Sequence, residues 1–180
     1  MSTLKIRLSA AFVLCAALLL CFVIPAKADF DSGRVVYTNP DTGYVAIIED
    51  DAYLFVDEFQ IASSMEPVTA YGNILLKTID YNDTTAARYA NSYLHQTFGN
   101  ASATIFLIDM DNRMLYIHSD GAIEKTINKT KAELITDNIY TYASRGDYDT
   151  CVIKAFEQMN TLLEGGRIAE PMHIIGTALI

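Results

Sequence analysis

The spacing of apolar positions changes several times along the chain, and each change predicts an element. Residues 35–37 and 44–48 are short β-prone runs on either side of Asn39-Pro40-Asp41-Thr42-Gly43, a stretch dense in turn formers, which predicts a hairpin. Over 52–65, Phe55, Phe59, Ala62 and Met65 recur at helical spacing, and Pro67 marks where that helix must have ended. After Gly72, residues 74–79 form an apolar run of strand length. Asn82-Asp83-Thr84 then supplies turn and cap residues for a helix over about 84–98, with Ala87, Ala90, Leu94 and Phe98 on one face and a stop at Gly99-Asn100.

Residues 104–108 are apolar on both parities, the pattern of a strand covered on both faces and expected at the centre of a sheet. Asp111-Asn112 interrupts the run and 114–118 resumes it, which predicts a tight hairpin closed by Ser119-Asp120-Gly121. Two helices should follow. Over 131–143, Leu134, Ile135, Ile139 and Tyr142 face inward; over 147–163, behind Asp147 as N-cap, Val152, Phe156, Met159 and Leu163 do so. The order ββ-α-β-α-ββ-α-α implies an α/β fold with a mixed sheet and helices on both faces.

The two ends differ from the body. Lys5 and Arg7 precede an apolar stretch from Leu8 to Ile24, then Pro25-Ala26-Lys27-Ala28, the pattern of a signal peptide over 1–28 cut before Asp29. An uncleaved anchor helix is the alternative, since about 17 apolar residues is near the lower limit for crossing a bilayer. Either places the domain outside the cytoplasm, secreted or membrane-associated. In the tail, 167–180, the segment 172–180 is mostly apolar but far below the roughly 20 residues of a spanning helix. It either packs on the domain or begins a longer membrane anchor.

At 180 residues one hydrophobic core is expected, and the formal charge is -9. Three of the 13 basic residues lie in the leader, so the rest of the chain carries 10 bases against 22 acids, a net -12. Such a surface repels phosphate backbones and anionic headgroups, which disfavours nucleic acid, and it favours divalent cations and basic partners. Cys15 and Cys21 also fall in the leader, leaving Cys151 without a disulfide partner and best read as a small core residue.

Several reaction classes lack their residues. The chain has no His-Glu-x-x-His, Cys-x-x-Cys, Gly-x-Ser-x-Gly or phosphate loop. His95, His118 and His173 are scattered, and the neighbours His118 and Ser119 would point to opposite faces of a strand. Acidic residues are the better signal: Glu49, Asp50, Asp51, Asp109, Asp111 and Asp120 end predicted strands and could converge in one cleft. Carboxylates suit hard cations such as calcium or magnesium. An EF-hand is rejected, because Arg113 and Met114 stand where that loop needs a ligand and a glycine. The alternative is that these acids are turn formers and solvated charge, with Asp111 in a turn and Asp147 as a cap.

Three segments occur together: Asp50-Asp51-Ala52-Tyr53-Leu54, the core Thr104-Ile105-Phe106-Leu107-Ile108-Asp109-Met110-Asp111-Asn112-Arg113, and Gly146-Asp147-Tyr148. In that combination the chain resembles the TPM-domain family over about 35–166. The resemblance implies a three-layer α/β/α sandwich with about four helices over 29–166, tethered outside the cytoplasm through the C-terminal tail. It implies an acidic cleft that binds Ca2+ in some members, Mg2+ being less suited, and acid phosphatase activity in some. Carried over, Asp50, Asp109 and Asp111 are the metal ligands, while Arg113 and Asp147 support the site or contact phosphate; no catalytic nucleophile is assigned. Gly99-Asn100-Ala101-Ser102 and Ser119-Asp120-Gly121 depart from the glycine-rich approach and Gly-x-Gly of many relatives. The favoured expectation is an accessory or maintenance factor for membrane proteins. The other is a metal-assisted phosphatase in which Arg113 steadies phosphoryl oxygens.

Overall fold

The computed structural model describes residues 34–170. Residues 1–33, which include the expected leader over 1–28, and the last part of the tail, 171–180, lie outside the described residues. Strands β1 (Arg34–Thr38) and β2 (Val45–Asp50) form the first hairpin, antiparallel, with a bulge between Val35 and Tyr37. Its turn is built on Asn39, whose side-chain oxygen accepts the Asp41 and Thr42 amides, and Gly43 takes φ 73°. Strand β3 (Asn73–Ile79) pairs in parallel with β2, and β4 (Ala103–Asp109) in parallel with β3. Strand β5 (Met114–Asp120) returns antiparallel to β4, which completes a five-stranded mixed sheet in the order β1-β2-β3-β4-β5.

Four helices cover the sheet: α1 (Glu58–Met65), α2 (Ala86–Phe98), α3 (Lys129–Ala143) and α4 (Tyr148–Leu163). Alternate strand residues Ala46, Ile48, Ile74, Leu76, Phe106, Ile108 and Ile117 form one core with Ile61 and Met65 of α1, Ile135 and Ile139 of α3, and Val152, Phe156 and Met159 of α4. Residues of the other parity face the layer in which α2 lies over β4 and β5. Every residue of β3 and β4 is buried, as strands covered on both faces must be. The fold is thus the expected three-layer α/β arrangement. The run 104–108 is an interior strand, but the middle position belongs to β3.

The predicted helix over 52–65 is corrected, because only Glu58–Met65 is helical. Both carboxylate oxygens of Asp50 accept backbone amides, from Leu54 and Phe55, and the Ala52 amide goes to Thr78 Oγ1. Those bonds offer 51–57 an alternative to helical pairing. Asp57 then caps α1 through the Gln60 amide. The inward face consequently becomes Ile61 and Met65, while Phe59 is 82% exposed. A smaller shift affects α2: Thr85 is its cap, so Ala86 is buried in place of Ala87.

The start of the tail packs on the domain. Ile168 lies against the main core and Asn138 Nδ2 donates to the Ala169 carbonyl at 2.8 Å. Among the described residues no helix is long and apolar enough to cross a membrane.

At the centre of the main core, Phe106 of β4 meets Phe156 of α4 edge to face, 6.2 Å between centroids at 77°. Phe156→Ala is expected to lower unfolding stability by about 3–5 kcal/mol, read from urea denaturation with an unchanged m-value.

Candidate functional site

Because β2, β3 and β4 run parallel, their C-terminal ends lie along one edge of the sheet, where ligand crevices of open α/β folds form. Asp50 ends β2 and Asp109 ends β4, and Asp111 sits in the β4–β5 turn on that same edge. Asp120 does not join them. Strand β5 runs back, so Asp120 pairs with Ala103 at the opposite edge. Register also separates Asp50 from Asp109. Asp50 lies opposite Thr78, whereas Asp109 lies opposite Ile79, so their side chains point to opposite faces with β3 between them.

Around Asp50 the structure forms a cleft of about 440 Å³, whose walls carry Glu49, Asp50, Asp51, Tyr53, Phe55, Glu58, Lys77 and Tyr93. At its floor Lys77 Nζ bonds Glu49 Oε2 at 2.8 Å and Asp51 Oδ2 at 2.9 Å. The Lys77 side chain is only 4% exposed. Its ammonium lies 4.6 Å from the centre of the Tyr93 ring, and the Tyr93 hydroxyl donates to the same Glu49 oxygen at 2.7 Å. Tyr89 stacks on Tyr93 at 5.6 Å. Desolvation alone would depress the Lys77 pKa, but the bonds to Glu49 and Asp51 outweigh it and hold the group well above its ordinary value. Burial, with the hydrogen bond to Glu49, pushes Tyr93 up to about 12.

Sequence reasoning did not single out Lys77 or Tyr93. A lysine inside the otherwise uncharged strand Asn73–Ile79 was the available signal, since a buried ammonium requires carboxylate partners nearby. It also missed Asp149, whose carboxylate accepts the Val56 and Asp57 amides and fastens the cleft's outer loop to α4.

The second acidic centre is structural in geometry. Asp109 is 0% exposed; its Oδ2 accepts Asn82 Nδ2 at 2.6 Å and Asn112 Nδ2 at 2.9 Å, and its Oδ1 accepts the Asn112 amide at 3.0 Å. Asp111 accepts the Asn82 amide, and Asn112 reaches the Thr84 carbonyl. The hairpin tip is thereby clasped to the loop before α2. Arg113, at φ 53°, lies with Asp109 on a separate groove of about 810 Å³ beside Tyr140 and Tyr148. Asp147 caps α4 through the Thr150 amide, as its local sequence suggested. His118 and Ser119 diverge: His118 bonds Asn91 and Ser119 bonds Thr104. Cys151 is buried and free, and burial raises its thiol to about 12, far from a reactive thiolate.

Tested against a divalent cation, these donors do not fit. Asp50 accepts Leu54 N, Phe55 N and Thr78 Oγ1, Glu49 and Asp51 hold Lys77, and Asp109 is enclosed by amide donors. Among the described residues no group of three His, Cys, Asp or Glu side chains is placed to hold a metal ion. Asp50, Asp109 and Asp111 therefore do not meet as one ligand set.

Two consequences are measurable. Asp50→Ala leaves two amides and a hydroxyl without their acceptor and should destabilise by about 2–4 kcal/mol, with the Leu54 and Phe55 amides losing hydrogen-exchange protection. Lys77, Tyr93 and Cys151 all have raised values, so between their unfolded and folded pKa values the native state keeps protons that the unfolded chain releases. The stability they contribute is complete below about pH 9 and falls as pH rises further. Urea midpoints should hold to about pH 8 and then decline, and Cys151→Ala should flatten the first part of that decline.

Comparison with known proteins bears on the fold and its family. The N-terminal domain of a protein from P. gingivalis, solved by solution NMR, superposes with a TM-score of 0.58 at 12% identity, over 66% of this chain and 82% of that one. The BA42 protein of the psychrophilic bacterium Bizionia argentinensis gives 0.47 at 11%, over 62% and 82%. Comparison with curated proteins gives no match. The TPM domain model matches residues 70–162, from the turn before β3 to the end of α4, and the chain therefore belongs to the TPM-domain family.

Proposed function

We propose that this domain is a non-catalytic, extracytoplasmic accessory module that receives a basic, amphipathic segment of a membrane-protein partner at the acidic cleft. One observation carries the reading: the loop fixed by Asp50 holds Tyr53, on the wall of the acidic cleft, at 91% exposure, and Val56 and Phe59 follow on the same segment at 92% and 82%. Large apolar side chains held open beside net negative charge suit a segment carrying both Lys or Arg and apolar anchors. The leader pattern over 1–28 supports an extracytoplasmic setting, and the acidic balance of the chain suits a basic partner.

Phosphatase chemistry finds weaker support. Of the carboxylates carried over as metal ligands, Asp109 has no exposed surface and accepts three N–H bonds, which leaves it poorly placed to meet metal or substrate. Calcium at half-buried Asp50 would have to displace the Leu54 and Phe55 amides and the Thr78 hydroxyl.

The test is binding of a fluorescent peptide of alternating lysine and leucine by anisotropy. Tyr53→Ser with Phe59→Ser should weaken it at least about tenfold and leave the melting temperature within about 1 °C, because both residues are already solvated. Affinity should fall with added salt. Equal binding by the double variant would overturn the docking reading. Release of nitrophenol from p-nitrophenyl phosphate that copurifies with the protein and disappears in Arg113→Gln would replace it with an enzyme.

A further inference from the structure

We propose that Lys77 is the resident cation of the cleft and that its ammonium closes the Glu49–Asp51 pair to divalent metal ions. The resemblance led to the expectation of a calcium-capable cleft on Asp50, Asp109 and Asp111; the carboxylates that flank Asp50, Glu49 and Asp51, are held by one side chain. Lys77 is the single charged residue of β3, and it enters the sheet at a buried position where an uncompensated ammonium would be strongly unfavourable. It is compensated from two directions at once, by Glu49 across the β2–β3 ladder at 2.8 Å and by Asp51 just past the end of β2 at 2.9 Å.

A calcium ion bridging these two carboxylates would need their oxygens at about 2.3–2.6 Å, in the space that Nζ fills. Both cations cannot be present. Retreat of the ammonium is opposed by its surroundings: the Tyr93 ring faces it at 4.6 Å, and the Lys77 side chain is only 4% exposed. Release of its proton is opposed by the raised pKa. Asp50 offers no second route, because its oxygens serve Leu54, Phe55 and Thr78. The cleft accordingly keeps a fixed charge that does not depend on the calcium or magnesium around it. This inference does not need the docking reading: Lys77 fills the space between Glu49 and Asp51, whereas docking depends on the exposed side chains of Tyr53, Val56 and Phe59.

Lys77→Met removes the ammonium while keeping much of the stem, and Lys77→Gln keeps a hydrogen-bond donor; each leaves Glu49 and Asp51 facing one another. The full chain and both variants are melted in chelator and in about 10 mM calcium or magnesium chloride, beside terbium luminescence sensitised by Tyr93. Wild type should melt within about 1 °C in all three conditions and give no saturable terbium signal. At least one variant should gain about 3 °C or more in calcium, or fold only in its presence, and lose that response when Asp51→Asn is added. A wild-type response abolished by Asp51→Asn would overturn the inference. So would variants that fold and ignore calcium, or that fail to fold with it.

Discussion

The end of β2 is decided by one carboxylate. Asp50 accepts two amides from the residues that follow it and the Thr78 hydroxyl from the neighbouring strand. Once those bonds form, the chain cannot pass directly from strand to helix; it loops, exposes Tyr53 at φ 54°, and starts α1 only at Asp57. The position of Glu49 and Asp51 on either side of Lys77, and the outward aim of Phe59, follow from that loop. Asp149 secures its far side from α4, so the cleft is held by two elements distant in sequence.

Two charges are buried under this edge, and they are compensated in different ways. Lys77 is met by opposite charge, which leaves its neighbours no capacity for another cation. Asp109 is met by neutral donors, the side chains of Asn82 and Asn112 and one backbone amide. Hydrogen bonds to a charged acceptor are stronger than neutral ones, so the aspartate works as a clasp between the β3–α2 loop and the hairpin tip. A buried lysine and a buried aspartate thus fasten different parts of one sheet edge, the first by ion pairs and the second by neutral donors.

The sheet and three of the helices were legible in the sequence, because their signals are local: alternating or continuous apolar runs, turn residues, and an N-cap such as Asp147. The helix over 52–65 was misjudged at its start for a nonlocal reason. Its apolar spacing was real, but Thr78, twenty-eight positions from Asp50, helps to fix the loop that displaces it. The site was less legible still. Asp50, Asp109 and Asp111 were correctly placed at strand ends, yet their faces depend on register, which alternates with each residue and is set by pairing partners. Lys77 was readable only as an anomaly within an apolar strand.

The bulge between Val35 and Tyr37 bears on how the molecule meets others. An edge strand with regular pairing offers a row of open amides and carbonyls to any extended chain, including a copy of itself. A bulge twists and interrupts that row, so β1 is a poor template for lengthening the sheet. Lengthening of the sheet on that side is thereby disfavoured, and contact there falls to side chains, which can discriminate among partners. Crowding of such chains is then less able to become polymerisation through β1.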